Sequence, residues 1–320
     1  DFIIETPHKN PLELLNKKFD QSQIKTVQEK WKPYNFKDQN IDDFLQNLNI
    51  DKTVEISSIN GGYSNALKQL NKFIDNGYED YAKFSSNPSK EASSQLSPYF
   101  HSGQISTHEV FEKISNLESW TLESIDPKMV GRREGWWGST ENFESFMDEL
   151  ITWRELGYHT CVRRANYDQY SSLPEWAIKT LTDHSSDERE HIYSLDELTY
   201  SQTHDEIWNA AQNQLRTQGI IQNYLRMLWG KKILEWTPNP QIALSYMITL
   251  NDRYALDGRD PNSYSGVFWI LGRYDRAWGP ERSIYGKIRY MTSDSTSKKF
   301  NLKPYLEKWS NESLGIHTSL

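Results

Sequence analysis

Two tryptophans, Trp229 and Trp236, stand seven positions apart in the stretch RMLWGKKILEWT at residues 226–237. In an α-helix seven residues turn through about 700°, so both indoles would lie on nearly the same face, about 10 Å apart along the axis. One interpretation is a stripe of core side chains, which is the commoner role of this spacing. The other is a relay of oxidisable rings that passes electrons through the protein.

A second pair with chemical potential is Glu149 and Trp153 in the stretch DELITWRE. Residues four apart are neighbours on the surface of an α-helix, so the carboxyl and the indole would share a face. A solvent-exposed pair is one interpretation of this arrangement. The other is a buried carboxyl beside an aromatic platform on which a nucleic-acid base could stack.

Two loops carry polar groups suited to a ligand. The loop SSQLSP contains Ser93, Ser94 and Ser97 just before a predicted helix, where hydroxyl and free backbone N–H groups can hold phosphate oxygens. Serines at such positions also serve simply as helix caps. In NDRYALDGRDPNSYSG, at residues 251–266, two aspartates and an arginine surround Gly258. That segment is either an ordinary turn or a polar clamp on a heteroaromatic ring.

The elements that must position these residues are helices, because apolar residues recur at spacings of three and four and alternating β patterns are nearly absent. A Ser-rich loop separates the first two helices, and a loop region rich in Gly, Asp, Pro and Tyr follows the last. Thr140 is the predicted N-cap of the third helix. The predicted helices cover residues 64–84, 107–117, 140–164, 174–184, 203–219, 220–236 and 239–258.

The pattern predicts one all-α domain over residues 61–310. Residues 1–60 are rich in Asn, Asp, Gln and Lys and predict an extended lead-in with short helices, including one within 41–50. Residues 311–320 form a C-terminal tail. Aromatic residues make up 13% of the 320 residues, which indicates either very large core side chains or flat ligands stacked against them.

Charge and cysteine content limit the class of protein. The net charge is −8, yet the segment 253–303 holds ten Lys or Arg and five acids, so this stretch is basic on an acidic chain. A basic face of this kind suits phosphate binding and is also common on solvated surfaces. The single cysteine, Cys161, excludes an internal disulfide and fits a reducing compartment. No run of about 18 apolar residues, no secretory leader and no metal-binding spacing is visible, so we expect neither a membrane span nor a metal.

Six motifs follow one another in order: SxLSPYxHxGQIS, ELIxWREL, THDxxWNAAQxxL, RMxWxKKILEWTPNP, LNDRYxLDGRDPNxYxG and YGKIRYM. In this order the sequence resembles the FAD-binding domain of the photolyase/cryptochrome family, most closely the class II cyclobutane pyrimidine dimer photolyases. The resemblance runs from about Asn60 to Trp309. It implies an all-helical domain that binds FAD. It also implies a carbon–carbon lyase that repairs pyrimidine dimers in DNA by light-driven electron transfer from the reduced cofactor.

The resemblance assigns roles residue by residue. It places Trp229 nearest the flavin, then Trp208, then Trp236 outermost, as the relay that reduces the cofactor, with Asn251 facing flavin N5 and Glu149 bonding the pyrimidine carbonyl. The implied cofactor-binding residues are Tyr81, Ser93, Ser94, Leu96, Ser97, Arg154, Arg226, Asn251, Asp257 and Asp260. The implied substrate-binding residues are Glu149, Trp153, Met227, Trp269 and Arg276.

Several features depart from the family pattern. The α/β domain that precedes this module in full-length relatives is absent, so we expect no antenna chromophore. Leu228 and Ser102 replace aromatic residues of the family, and MTSDSTSKKF departs from its usual ending. We expect a monomer whose partner is DNA containing pyrimidine dimers, in the cytoplasm with the nucleoid or in a eukaryotic nucleus. The alternatives are a cryptochrome-like light sensor without repair activity and a flavin-free helical interaction module.

Overall fold

The computed structural model describes residues 21–32, 40–129, 132 and 134–316, and every regular element within them is a helix. An isolated antiparallel bridge joins Arg282 to Gly286. The all-α fold expected from the sequence is therefore confirmed for the described residues. The first 20 residues of the predicted lead-in and the last four of the predicted tail lie outside them.

The helices of the first half precede and follow the serine-rich loop in the chain and extend to the ELITWREL motif. A six-residue π-helical segment, Asp148–Trp153, separates the last two of them. These helices are α1 (Gln21–Lys30), α2 (Ile41–Asn47), α3 (Tyr63–Asn76), α4 (Tyr81–Phe84), α5 (Ser97–His101), α6 (Thr107–Leu117), α7 (Glu141–Met147) and α8 (Arg154–Arg163).

The helices of the second half carry the three tryptophans and the basic segment. None of the described helices is long and apolar enough to cross a membrane. These helices are α9 (Glu175–Asp183), α10 (Leu195–Thr199), α11 (Glu206–Gln218), α12 (Asn223–Glu235), α13 (Pro240–Tyr254), α14 (Pro261–Ile270), α15 (Ser293–Lys299) and α16 (Lys303–Trp309).

Helix bounds follow the predicted capping signals where those signals are strong. Helices predicted at 107–117, 174–184, 203–219 and 220–236 appear as α6, α9, α11 and α12 with similar ends. Asp205 caps α11 by accepting from the Trp208 N–H, and Gly219 ends it in the left-handed region at φ 74°. Left-handed backbone at a helix C-terminus favours glycine because a Cβ atom is strained there.

The helix predicted over 64–84 is instead two helices, α3 and α4, with the break at Gly77. The backbone N–H groups of Gly77 and Tyr78 both bond to the Phe73 carbonyl at 2.8 Å, which ends α3. A Cβ atom at position 77 would lie 3.0 Å from the carbonyl oxygen of Glu91. The glycine thus permits a later segment to cross the end of α3 closely.

The loop predicted after residue 258 is wrong for much of its length, because α14, α15 and α16 form there. Gly, Pro, Asn and Ser in PNSYSGVFWI favoured a loop in the sequence. Asp260 nevertheless provides an N-cap whose carboxylate accepts from the Asn262 N–H at 2.9 Å, and Pro261 occupies the first turn. Both features start helices, and burial of Val267, Phe268 and Ile270 stabilises this one.

Two apolar clusters form the core. One is built on α9 and α11–α14 and contains Trp208, Trp229 and Trp236. The other is built on α3 and α5–α7 and contains Phe73 and Phe146. Helix α14 packs against α8, α12 and α13 and so holds the ELITWREL motif close to the second-half helices.

Candidate active site

The polar centre of the candidate site lies between α12 and α13. The guanidinium of Arg226 donates from Nη1 to the side-chain oxygen of Asn251 at 2.5 Å, and Asn251 is 2% exposed. The Asn251 NH2 group makes one long bond, 3.4 Å, to Asp252. Because an amide has two N–H donors and its oxygen is held by Arg226, an N–H remains able to donate to a ligand.

Asp257 completes this centre. Its Oδ1 atom lies 3.9 Å from Nη2 of Arg226 and is buried without a hydrogen-bond partner. A buried carboxylate oxygen is costly without a hydrogen bond, so a ligand hydroxyl or N–H donor would satisfy it. The loop turns tightly at Gly258, where a Cβ atom would lie 3.0 Å or less from the carbonyl oxygens of Ala255 and Asn251.

The serine loop is tied to this centre through α5. His101, at the end of α5, lies 3.3 Å from the carboxylate of Asp260, three residues after Asp257. No hydrogen bond found among the described residues uses a hydroxyl of the three serines of this loop, of which Ser97 is exposed and the other two are half-buried. Leu96 is fully buried, so neither its side chain nor its backbone is exposed in this structure. The serines concerned are Ser93, Ser94 and Ser97.

Two predicted cofactor residues lie in other surroundings. Tyr81 is buried and packs edge-on against the rings of Phe73 and Phe146. Burial, and then the nearby carboxylates of Glu149 and Asp148, raise the pKa of its hydroxyl well above the usual range. Arg154 pairs with Glu155 at 3.1 Å and stacks on the Tyr158 ring. No contact among the described residues joins either side chain to Arg226 or Asn251 directly.

The three tryptophans form a continuous line of contacts in the core. All are at most 2% exposed. The Trp208 indole N–H donates to the Trp229 carbonyl at 2.9 Å, and the rings of Trp208 and Trp236 meet edge-on with centroids 5.7 Å apart. Helix α12 ends at Glu235, so Trp236 lies just beyond it as the C-cap residue. The predicted single helical face therefore holds only up to that end.

Trp236 is the member of this line that borders a surface cavity, whose volume is about 470 Å³. The rings of Tyr193 and His204 contact it at 5.4 and 5.2 Å, and the ammonium of Lys232 lies 5.4 Å from its ring. Burial, together with the neighbouring His191, lowers the pKa of the His204 imidazole. Trp236 is thus the end of the line that lies nearest to solvent.

The predicted substrate residues gather partly at one place. The rings of Trp153 and Trp269 are in contact, with centroids 4.4 Å apart and planes inclined by 41°. Both are half-buried, and Glu149 is exposed. Met227 packs against the core that contains the tryptophan line. Arg276 is exposed and stacks on Trp278, away from any described contact with Trp153 or Trp269.

Two residues of this region were missed in the sequence. Gln212 accepts the Trp229 indole N–H at 2.8 Å. It stands four positions after Trp208 on α11, a spacing that signals a shared helix face. Asp148 accepts the Trp153 indole N–H at 2.9 Å. The spacing of five from Asp148 to Trp153 gives no such signal in an α-helix.

Similar proteins are found by sequence over most of the chain. The chain is 39% identical over 267 residues to a deoxyribodipyrimidine photo-lyase of Methanothermobacter thermautotrophicus, covering 83% of this chain and 55% of the relative. It is 38% identical to that of Potorous tridactylus, covering 82% and 46%, and 41% identical to that of Arabidopsis thaliana, covering 73% and 44%. The chain spans about half the length of the curated relatives it matches. No family model matches the chain.

Solved structures share the fold. A bacterial class III photolyase from Agrobacterium tumefaciens has a TM-score of 0.55 at 19% identity, covering 88% of this chain and 49% of that one. A Synechocystis cryptochrome has a TM-score of 0.55 at 15% identity, covering 82% and 48%. These identities support the fold alone, and the relationship itself rests on the sequence matches.

Proposed function

We propose that this chain is a member of the photolyase/cryptochrome family that covers part of a member's length. It holds FAD and repairs cyclobutane pyrimidine dimers in DNA with light. The observation that carries this proposal is the buried centre of Arg226, Asn251 and Asp257 in a chain about 40% identical to deoxyribodipyrimidine photo-lyases. Bound FAD would supply light absorption and the electron that opens the cyclobutane ring.

The buried centre fits a flavin. The unpartnered Asp257 oxygen offers an acceptor for a ribityl hydroxyl or ring N–H, and Asn251 offers a donor. Arg226 holds the Asn251 amide in one orientation, because its guanidinium bonds the amide oxygen. The centre thus presents complementary donors and acceptors to a flat polar ring system.

The serine loop fits the phosphates of the same ligand. Ser93, Ser94 and Ser97 expose free hydroxyls, and Gln69 fixes the loop by donating to the Ser94 carbonyl at 2.9 Å. The contact of His101 with Asp260 connects this loop to the flavin centre. Hydroxyl groups can donate to phosphate oxygens without bringing a competing charge. Tyr81 and Arg154 are further proposed contacts, which require the ligand to reach beyond the polar centre.

The line of tryptophans serves to bring electrons in from solvent. Its contacts run from Trp229 through Trp208 to Trp236, and Trp236 borders the surface cavity. Because indole rings are readily oxidised, a hole created at Trp229 can move outward along the line. Gln212 fixes the Trp229 indole through its N–H.

The substrate would meet the ring pair of Trp153 and Trp269. Aromatic faces bind unstacked bases regardless of sequence, and a pyrimidine dimer is easily unstacked because it is already poorly paired. Glu149 lies on the same π-helical segment as Trp153, and its carboxyl group, when protonated, can donate a hydrogen bond to a pyrimidine carbonyl. Met227 would border this place, and the exposed Arg276 would contact DNA phosphates.

The share of this chain that its relatives match favours repair over light sensing. Photolyases match 73–83% of this chain, whereas Cryptochrome-2 of Arabidopsis thaliana matches 16%. The test is to illuminate the reduced, FAD-loaded chain with an oligonucleotide that contains a thymine dimer and to follow the return of thymine absorbance. We expect restored absorbance that depends on light and enzyme. Bound FAD without any repair would support the sensor, and a chain that binds no FAD would refute both.

A further inference from the structure

The helix that carries Trp153 changes its hydrogen-bond register just before that residue. Residues Asp148–Trp153 form a π-helical segment between α7 and α8, and the Arg154 backbone N–H then reaches back only to the Ile151 carbonyl. Hydrogen bonds in a π-helix join residues five apart, and such segments are frequent at functional sites. This register determines which side chains of the segment share a face.

The register aligns Asp148 with Trp153. In an α-helix five residues turn through about 500°, which would leave the two side chains about 140° apart around the axis. In the π-helical turn they share a face, and the Asp148 Oδ2 atom accepts the Trp153 indole N–H at 2.9 Å. This bond would be lost if the segment were a regular α-helix.

The bond fixes the only polar atom of an indole that is otherwise held by ring contacts. Trp153 lies against Trp269 at 4.4 Å between centroids and meets Tyr274 edge-on at 6.2 Å. These contacts allow the indole to slide or turn over, whereas one N–H bond to a carboxylate selects a single orientation. Hydrogen bonds to an ionised acceptor are the stronger kind, and both partners here are half-buried.

We propose that Asp148 is a positioning residue that holds the Trp153 indole in the orientation that recognises the lesion, an assignment that rests on the proposed function. Asp148 acts only through the Trp153 N–H and does not touch the substrate. Its neighbour Glu149 is exposed on the same segment and remains the carboxyl that meets the pyrimidine.

The contact itself can be tested without DNA. In the FAD-loaded full chain labelled with ¹⁵N-tryptophan, the Trp153 indole resonance is assigned by its absence in a Trp153→Phe variant. We expect Asp148→Ala to shift that resonance and to speed its exchange with solvent, and Asp148→Asn, which keeps an acceptor oxygen, to have a smaller effect. An unchanged resonance in Asp148→Ala would overturn the proposal.

The functional consequence is tested by a double-mutant cycle on the preference for dimer-containing over undamaged oligonucleotide. We expect Asp148→Ala to lower that preference about 3- to 10-fold in the parent chain, which is less than the roughly 10- to 150-fold cost of one lost hydrogen bond to a charged group, because Asp148 acts only through the orientation of Trp153. No further loss is expected in Trp153→Phe, which lacks the N–H. Asp183→Ala, an exposed acid on α9, is the control and should change nothing.

Two results would contradict the assignment. If Asp148→Ala lowers the preference equally in both backgrounds, Asp148 acts by a route other than the Trp153 N–H. If it leaves the preference unchanged in a parent that discriminates, Asp148 has no part in recognition. A parent that shows no preference at all would refute the proposed function. The indole measurement would then still decide whether Asp148 holds Trp153.

Discussion

The indole N–H of Trp208 donates a hydrogen bond of 2.9 Å to the backbone carbonyl of Trp229. This bond joins the middle ring of the tryptophan line to the backbone of the residue that carries the innermost ring. Trp229 in turn donates to Gln212. Since α11 carries Trp208 and Gln212 and α12 carries Trp229, the two helices exchange one bond in each direction. Such reciprocal bonds fix the separation of the rings, on which an electron-transfer rate depends.

We expect Trp229→Phe to slow photoreduction of bound flavin by an external thiol at least tenfold, because phenylalanine is much harder to oxidise than tryptophan. FAD content and repair by chemically pre-reduced protein should stay near the parent level. The matched control is Trp120→Phe. Trp120 is also buried and donates its indole N–H to a tryptophan carbonyl, that of Trp137, in the other core cluster. Equal photoreduction by parent and Trp229→Phe would assign Trp229 to packing alone.

Asp257→Ala should reduce the amount of FAD that co-purifies with the chain. The unpartnered, buried Oδ1 atom of Asp257 has an energetic reason to accept a ligand hydrogen bond, which is worth roughly 1.5–3 kcal/mol when the acceptor is charged. That range corresponds to about a 10- to 150-fold weaker Kd. The measurement is flavin released on denaturation, followed by titration of the apoprotein. The outcome against this role is an unchanged Kd for FAD.

Periodicity and motifs in the sequence sufficed to predict the helices around the tryptophan line. Caps such as Asp205 and Gly219 act locally, so they are readable in one sequence. The π-helical segment was not predictable, because the apolar spacing in TENFESFMDELITWREL fits an ordinary helix over its length. The spacing of Glu149 and Trp153 therefore indicated a shared face, while the bond that forms joins Asp148 to Trp153.

The charge pattern was predictable only as a total, since ion pairs depend on tertiary contacts. Arg253 pairs with Asp51 at 2.8 Å, a residue from the predicted lead-in that no local pattern connects to it. Lys287, Arg289 and Lys303 pair with nearby acids, and Arg273 is buried. Apart from the buried Arg273, five of the ten basic residues of segment 253–303 therefore form no ion pair with an acid among the described residues. These are Arg259, Arg276, Arg282, Lys298 and Lys299.

DNA affinity should fall with salt, but less steeply than ten free cations would require. Each neutralised phosphate contributes about −0.9 to the slope of log affinity against log salt, so five unpaired cations give a slope no steeper than about −4.5. Fluorescence anisotropy with a dimer-containing duplex across a salt series measures this slope. Arg276→Ala should make this slope shallower by about 0.9, the contribution of one phosphate contact. A flat response would show that this face does not contact DNA.

The pH dependence of thermal stability should reflect the burial of one lysine. Burial lowers the pKa of the Lys231 ammonium from 10.5 to about 7. Between these values the unfolded chain binds more protons than the folded one, so this group makes the protein more stable as pH rises from about 7 towards 10. Below about pH 7 Lys231 is protonated in both the folded and the unfolded chain, so the full free-energy cost of burying its charge lowers stability there.

A Lys231→Met variant removes this titration. We expect the Tm of this variant to exceed that of the parent by most, or to fall short by least, near pH 6.5, and to compare less well near pH 9.5. The difference in the free energy of unfolding between variant and parent should change by up to about 1.4 kcal/mol per pH unit. Scanning calorimetry at several pH values measures the difference. Lys298→Met, on the surface helix α15, controls for the loss of any lysine. A pH-independent difference between Lys231→Met and parent would mean that Lys231 does not titrate in this range.

The role of Glu149 is decided by comparing Glu149→Gln with Glu149→Ala. Glutamine keeps the shape and a hydrogen-bond donor for a pyrimidine carbonyl, whereas alanine removes both. We expect Gln to retain part of the repair quantum yield at saturating DNA and Ala to lose more, since one hydrogen bond to a developing charge is worth roughly 1.5–3 kcal/mol.

FAD content is the control for this comparison and should stay near the parent value in both variants, because Glu149 is exposed on the π-helical segment and the proposed cofactor centre lies on α12, α13 and the loop that follows α13. The neighbouring Asp148 is left intact, so the Trp153 indole keeps its acceptor and any loss belongs to the Glu149 carboxyl. Glu149→Ala would then lower the yield of each absorbed photon without weakening DNA binding much. If both variants repair pyrimidine dimers as well as the parent, Glu149 is a surface acid and the pyrimidine carbonyl meets another donor.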